Sequence, residues 1–388
     1  MFYSLLSSLP LVTSGIMTLQ LWMVQRQRPQ VARRWLLWWG VVTTILYGCH
    51  YVFFQRCYPL IPVADTFYVA CNLLVYPLFL LYISSLTDVV PLSSRRWCLP
   101  LVVGVPGLLM LICGALYVSM SIGERGEFVR YFIYSETDYS LQGIQSVLVV
   151  HHHLCRLLFV AEVFVVFGWG VRKVRRFNHF VSTLYADPES RMLYQVDRLL
   201  QLLVLTSVLS VIFNYVGRVV FVGSLWLALP SVLFTILIFL LFFQGMQNRV
   251  SMSEMIGADN GFDDDGQTVG SEVTVGHDVS DESVTEPPSV KLQLRDRFEQ
   301  LMDKEQLYLI SDLKVSDVAT HLGTNRTYLL NMLATEVGMT FSEYVNRRRI
   351  AYAKELMAKN PQMTKIQVAV AAGYSTPSSF YRNYQRYN

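Results

Sequence analysis

The chain has 388 residues, 53% of them hydrophobic and 16% charged, where soluble domains carry roughly 25% charged residues, so a single water-soluble globule is excluded. The formal net charge of +3 is too small to identify a partner, and the information lies in where the charges fall. Met1 to about Gln244 is a series of apolar runs between short polar loops, residues 251–290 hold ten Asp or Glu and no Lys or Arg, and residues 291–388 hold fourteen Lys or Arg against nine Asp or Glu, a net of +5.

A helix needs about 20 apolar residues to cross a hydrocarbon core of roughly 30 Å. Seven segments meet this: 2–24, 35–54, 64–86, 98–120, 147–170, 199–222 and 225–244. The first has no basic n-region and a longer apolar stretch than a signal peptide, so it is read as a retained span. Alternate loops carry Arg26, Arg28, Arg33 and Arg34, then Arg95 and Arg96, then Arg172, Lys173, Arg175, Arg176, Arg191 and Arg198, while the loops between them have only Arg56, Arg125 and Arg130. That bias of twelve to three places the N-terminus outside and the C-terminal part in the cytoplasm, as for a multi-pass protein of a bacterial inner membrane. All six cysteines lie in the apolar region and none is spaced CxxC, so paired disulfides are not expected, with Cys57 near a loop as the exception.

Charged side chains inside spans usually face a bundle interior or a cavity. The fifth span holds His151, His152, His153, Arg156 and Glu162, and the sixth holds Asn214 and Arg218. His152, Arg156, Glu162, Asn214 and Arg218 form the candidate signal pocket, in the outer half of the membrane where an external ligand arrives, with plain interhelical hydrogen bonding as the competing reading. Three consecutive histidines point in different directions around a helix, so neither a metal site nor any cofactor is expected. The outer loop 121–146, with Tyr131, Phe132, Tyr134 and Tyr139, is a second candidate for signal contact.

Residues 248–290 read as an acidic, disordered linker ending in Pro287-Pro288. Asp263, Asp265, Gly266 and Glu272 fall at calcium-loop offsets, but Gly261 occupies the first position and no amphipathic helices flank them, so calcium is not expected.

From 291 to 388 the pattern is a DNA-binding one. Val315, Val318, Ala319 and Leu322 repeat at helical spacing, Gly323 supplies a turn, Asn325 caps a second helix through Tyr328, Leu329, Met332 and Leu333, and Gly338 ends it. This is a helix-turn-helix layout with Arg326, Thr327, Leu330 and Asn331 exposed on the second helix. A long helix follows from Phe341 to about Lys359 with Tyr344, Val345, Ile350, Ala353 and Leu356 or Met357 inward, and Asn360-Pro361 stops it. The pattern then recurs: Ile366, Ala369 and Val370 on a helix, Gly373 at a turn, Ser375 as a cap, and Thr376 to Arg386 as a second recognition helix.

Val318-Ala319, Leu322-Gly323, Tyr328-Leu329, Gly338-Met339-Thr340-Phe341, Tyr344 to Ile350, Ala353, Ala372 to Ser375 and Ser379 to Arg382 together resemble the DNA-binding domain of the AraC family, over about 98 residues, one quarter of the chain. The resemblance implies two recognition helices in successive major-groove segments of double-stranded DNA, held apart by the long helix. It implies base readers Arg326, Thr327 and Asn331 in the first unit and Thr376, Ser378 and Arg382 in the second, with Arg347, Arg348, Tyr381 and Arg386 on phosphate or in structural roles. Arg349 occupies the family's arginine of the linking helix, for a structural ion pair or DNA. Two departures stand: Leu333 replaces the usual Phe, and no Gly- and Pro-containing tail follows the second recognition helix before Asn388.

The expected architecture is therefore all-α, with a seven-helix transmembrane sensor domain (1–247), a linker (248–290) and an AraC-type domain (291–388). The expected function is a membrane-bound transcriptional regulator, active as a homodimer, with DNA, lipid bilayer, RNA polymerase and an unknown ligand or membrane signal as partners. The alternative is a transporter or receptor with a regulatory C-terminal domain, for which Gly104, Pro106, Gly107 and Pro230 hint at kinks without an inverted repeat. No Ser-His-Asp set, HExxH site or phosphate loop is present, so an enzyme is not expected.

Overall fold

The structure, a computed structural model, describes residues 2–88, 90–134, 142–187, 194–216, 221, 225–247 and 288–387. They are helical, with no strand among the described residues and one isolated bridge between Tyr185 and Lys314. The chain divides into two compact units, Met1–Arg175 with Leu193–Met255, and Arg176–Met192 with Ile256–Asn388. The acidic linker, apart from its last residues, lies outside the described residues.

The first unit contains α1 (Phe2–Gln27), α2 (Val31–Phe54), α3 (Ile61–Thr87), α4 (Cys98–Ser119), α5 (Ile122–Phe128, continued by a π-helical turn to Ile133), most of α6 (Ile144–Leu184), α7 (Tyr194–Val216) and α8 (Ala228–Gln247). Six helices among the described residues are long and apolar enough to cross a membrane. The expected span 199–222 corresponds to α7, in which Leu200–Leu209 is an apolar stretch among the described residues. The fifth expected span is far longer than predicted, 41 residues, because the apolar run passes without a breaker into the basic stretch Arg172–Arg176.

In α3, 83% of the most apolar window is buried, against 22–39% in the other five candidate spans, so α3 is the axis of the bundle. The others leave Leu111, Leu157, Phe164, Leu225 and Trp226 exposed, surface that is costly in water and neutral in lipid. Close approaches use glycine: a Cβ on Gly40 of α2 would lie 2.7 Å from Thr18 Oγ1 and 2.9 Å from the Phe242 ring. At the end of α3, Asp88 pairs with Lys173 of α6.

The second unit holds α9 (Pro288–Glu305), α10 (Val315–His321), α11 (Arg326–Met332, continued by a π-helical turn to Val337), α12 (Phe341–Lys359), α13 (Lys365–Ala371) and α14 (Pro377–Tyr387). Helix α9 was not anticipated; its Phe298 and Met302 are fully buried, and the Phe298 ring lies 4.9 Å from that of Tyr344. Its Arg297 donates to the Leu322 carbonyl at 2.8 Å, closing the end of α10. The second half has its own core of Ile350, Ala353, Val368, Ala369, Ala372, Tyr374 and Phe380.

Most local expectations of this region are met. Asn325 accepts from the Tyr328 N–H at 2.9 Å, and Gly323, Gly338 and Gly373 all adopt positive φ. Three expectations need correction. Val368 and Ala369, not Ile366 and Val370, face inward on α13, because the Thr364–Gln367 capping box sets a register that leaves Ile366 and Val370 57% and 67% exposed. Tyr328 is 38% exposed, since Leu329 and Met332 already fill the inward face of α11. Thr376, not Ser375, caps α14, accepting from the Ser379 N–H at 3.2 Å.

Gly373 and Gly323 provide a matched test. Both have left-handed φ, but a Cβ on Gly373 would meet the Leu309 carbonyl oxygen at 2.5 Å, whereas one on Gly323 would meet nothing within 4 Å. Gly323→Ala is expected to cost about 1 kcal/mol and Gly373→Ala at least about 2 kcal/mol, measured by chemical denaturation followed at the C-terminal unit.

Candidate nucleic-acid interface

The two recognition helices of the second unit are α11 and α14, each preceded by a short helix and a glycine turn. Between them lies α12, whose Arg349 ties it to the turn at 307–310 and to Tyr374, ahead of α14. Arg349 is 0% exposed, its Nε donates to the Tyr308 carbonyl at 2.6 Å and its Nη2 to the Ile310 carbonyl at 2.7 Å, and its guanidinium lies 5.2 Å from the centre of the Tyr374 ring. Burial holds the Arg349 pKa below the ordinary guanidinium value, with Tyr374, Asp187 and Asp312 opposing that shift. Arg349 is thus a structural residue whose hydrogen-bond acceptors are backbone carbonyls, although the sequence suggested an ion pair or DNA contact.

Four of the six expected base readers fall on exposed positions. Thr327 and Asn331 of α11 and Ser378 and Arg382 of α14 are exposed, as is Tyr381, and Arg326 is half-buried at the start of α11. Thr376 is half-buried and committed to the cap, with its hydroxyl donating to Ser379 Oγ at 3.0 Å. Tyr328 joins the exposed surface of α11, which sequence periodicity had assigned to the core. Exposed Arg, Asn, Ser and Thr on a recognition helix are the groups that pair with base edges in the major groove.

The other basic residues surround α12. Arg347 pairs with Glu343 at 2.9 Å and lies 5.5 Å over the Tyr387 ring, and Arg348 pairs with Asp303 at 2.7 Å and accepts support from Tyr344, to whose hydroxyl it donates at 3.0 Å. A concavity of about 740 Å³ between α12 and α14 is lined by Arg347, Lys354, Arg386, Tyr387, Ile350 and Ala351. Three cations around one shallow hollow can neutralise phosphate. Lys354 was missed in the sequence, although its spacing from Arg347, two helical turns along α12, was the available signal.

Residues 176–192 belong to this same unit. The Ala186 N–H donates to the Leu313 carbonyl at 3.0 Å, Asn346 Nδ2 donates to the Ala186 carbonyl at 2.7 Å, and the Ser375 hydroxyl donates to Asp187 Oδ2 at 2.6 Å. Ala186 and Asp187 are buried. The segment that follows α6 is therefore built into the DNA-binding fold, touching the residue before the cap of α14.

Within the first unit, three of the candidate signal residues have described side chains. His152 turns inward onto Asp65 at 2.8 Å, Arg156 is exposed, and Glu162 is half-buried one to two turns further on. Arg218 and the side chain of Asn214 lie outside the described residues. A separate pocket is lined by Tyr47, His50, Asn72, Tyr76, Ser207 and Ser231 among aromatic and aliphatic side chains, and His152, Arg156 and Glu162 do not line it.

This geometry defines a helix-turn-helix protein, and a family described as "Helix-turn-helix domain" matches residues 318–388. The chain is similar to the HTH-type transcriptional regulator ExsA of Pseudomonas aeruginosa, 29% identical over 99 residues, 25% of this chain and 35% of that protein. It is similar to the HTH-type transcriptional activator AarP of Providencia stuartii, 34% identical over 80 residues, 20% of this chain and 58% of that protein. An uncharacterized HTH-type transcriptional regulator of Staphylococcus aureus is 26% identical over 92 residues, 24% of this chain and 12% of that protein. The chain thus spans between about one-eighth and three-fifths of these relatives, and no solved structure matches it. Its C-terminal part is a DNA-binding, helix-turn-helix domain of transcription regulators.

Because Arg349 donates to two carbonyls and stacks on Tyr374, a lysine cannot replace it. Arg349→Lys is expected to cost about 2–3 kcal/mol of stability in the C-terminal unit and to lower DNA affinity without changing the preferred sequence, checked by denaturation alongside DNA titration.

Proposed function

We propose that the chain is a membrane-bound transcriptional regulator of the AraC type, in which two helix-turn-helix units read successive major-groove segments of one duplex. The observation that carries this reading is the pair of helix-turn-helix units on either side of α12, with Arg326, Thr327 and Asn331 on one recognition helix and Ser378 and Arg382 on the other. Base reading falls to those residues. Thr376 contributes chiefly as a cap, and Arg347, Lys354, Arg386 and Tyr381 contact phosphate and sugar.

The apolar helices of the first unit hold the protein in the inner membrane, with the C-terminal unit in the cytoplasm. A ligand or membrane signal acts on that unit, and the polypeptide leaving it at Arg175 runs directly into the segment whose Ala186 and Asp187 are bonded to Asn346 and Ser375. A shift of that segment reaches both α12 and the start of α14 without passing through the acidic linker. Homodimer formation in the membrane raises the effective concentration of DNA-binding units, and RNA polymerase is the partner through which a bound regulator acts.

Selection of sites from random DNA by the full chain in lipid nanodiscs tests the reading. The wild type is expected to enrich a motif with two blocks about one helical turn apart. Arg326→Ala is expected to degrade one block and Arg382→Ala the other, each at a cost of about 1–3 kcal/mol. Arg386→Ala and Lys354→Ala are each expected to lower the salt slope by about 1 with the motif unchanged. Failure to enrich any motif, or identical losses in both blocks from either arginine, contradicts the proposal.

A further inference from the structure

Near one end of the bundle, three side chains of different chemistry converge from three helices. A carboxylate oxygen of Asp65 in α3, the Sγ of Cys113 in α4 and an imidazole nitrogen of His152 in α6 all lie within 4.8 Å of one another. Asp65 is 2% exposed and Cys113 is fully buried. Contributions from separate helices mean that no single helical periodicity produces the cluster.

The orientation of His152 sets its role in the cluster. Its Nδ1 lies 2.8 Å from the Leu148 carbonyl, which can only accept, so Nδ1 carries the proton. In neutral imidazole this leaves a lone pair on Nε2, and Nε2 faces Asp65 Oδ2 at 2.8 Å. Two lone pairs at that distance must share either a second proton, which makes an imidazolium–carboxylate pair, or a metal ion that both ligate. The same oxygen of Asp65 already accepts from the Tyr117 hydroxyl at 2.8 Å. A ring nitrogen tied to a backbone carbonyl with its other nitrogen aimed at a shared centre is the usual outer-shell arrangement of a metal-ligating histidine.

We propose that Asp65, Cys113 and His152 bind one divalent transition ion of the borderline-soft class, such as zinc. Mixed imidazole, carboxylate and thiolate donors select that class over magnesium or calcium, whose ligands are oxygens. On binding, the Cys113 thiol releases its proton to solvent and the sulfur takes the place of a neutral group. One carboxylate, one thiolate and a doubly charged ion sum to zero, the cheapest electrostatic state in a low-dielectric bundle. Three protein ligands leave a fourth position open. The rings of Phe128 and Phe132, 5.9 Å and 5.3 Å from that of His152, wall one side of the site, and Tyr117 positions the carboxylate. As a signal, the ion rests on the regulatory reading above; as a ligand, it does not.

The test is cobalt titration of the metal-stripped full chain in detergent, followed by absorption spectroscopy and zinc back-titration. One cobalt per chain is expected, with a thiolate-to-cobalt charge-transfer band that zinc abolishes. Asp65→Asn and Cys113→Ser are each expected to weaken binding by at least about tenfold, and Cys113→Ser to remove the band; Tyr117→Phe is expected to weaken binding about tenfold with the band retained. No band in the wild type, cobalt uptake without a band, or a band that survives Cys113→Ser overturns the proposal, and assigns the Asp65–His152 contact to an imidazolium–carboxylate pair. The wild-type spectrum decides even where a variant fails to insert. Either result leaves DNA site selection by the same preparation unaffected, so the two readings fail separately.

Discussion

The C-terminal unit depends on one buried cation. Arg349 sits in the middle of α12 and donates to the carbonyls of Tyr308 and Ile310, so the short segment 307–310 is held against the linking helix. From the other side, Gly373 brings the second glycine turn so close to Leu309 that a methyl group would collide with its backbone, and Tyr374 stacks on the guanidinium. A charge taken out of water is costly unless its donors are satisfied by strong acceptors. Here the acceptors are carbonyls of the single 3₁₀ turn Leu307–Leu309 and its cap Ile310, too short to pair them all internally. One guanidinium therefore holds the connecting segment, the linking helix and the second glycine turn together.

The segment 185–187 adds a second constraint on the same place. Its backbone bonds to Leu313 and Asn346, and its Asp187 accepts from Ser375 and lies within the electrostatic reach of Arg349. A strand-like contact of this kind makes the sequence following α6 part of the DNA-binding fold, although nearly one hundred residues separate it from α9. In the apolar unit the corresponding role belongs to α3, which is buried along most of its length and, through Asp65 and the capping Asp88 that follows it, makes polar contacts to α6. Polar contacts inside an apolar bundle are few and directional, and so fix helix register where hydrophobic packing alone does not.

Much of this was legible in the sequence because local rules dominate it. Long apolar runs, the Asn325 cap, the glycine turns and the Asn360-Pro361 stop each act through neighbouring residues, and they located the helices and both helix-turn-helix units. What was not legible depends on tertiary context. The burial of Val368 in place of Ile366 follows from a capping box that rotates α13, and the exposure of Tyr328 from competition with Leu329 and Met332 for one face. Docking of residues 185–187, the backbone acceptors of Arg349 and the convergence of Asp65 with Cys113 and His152 involve partners tens to hundreds of residues apart. The signal for the last that the sequence does carry is Asp65, an aspartate standing inside an otherwise apolar span.

The most direct measurement of the central claim is chromatin crosslinking of the intact protein in cells, beside an Arg326→Ala, Arg382→Ala double variant, with membrane fractionation of the same samples. The account predicts that both proteins remain in the membrane fraction, and that the wild type occupies discrete genomic sites which the double variant loses. Retention of the same sites by a stably inserted double variant, or the absence of discrete sites for the wild type across growth conditions, contradicts it.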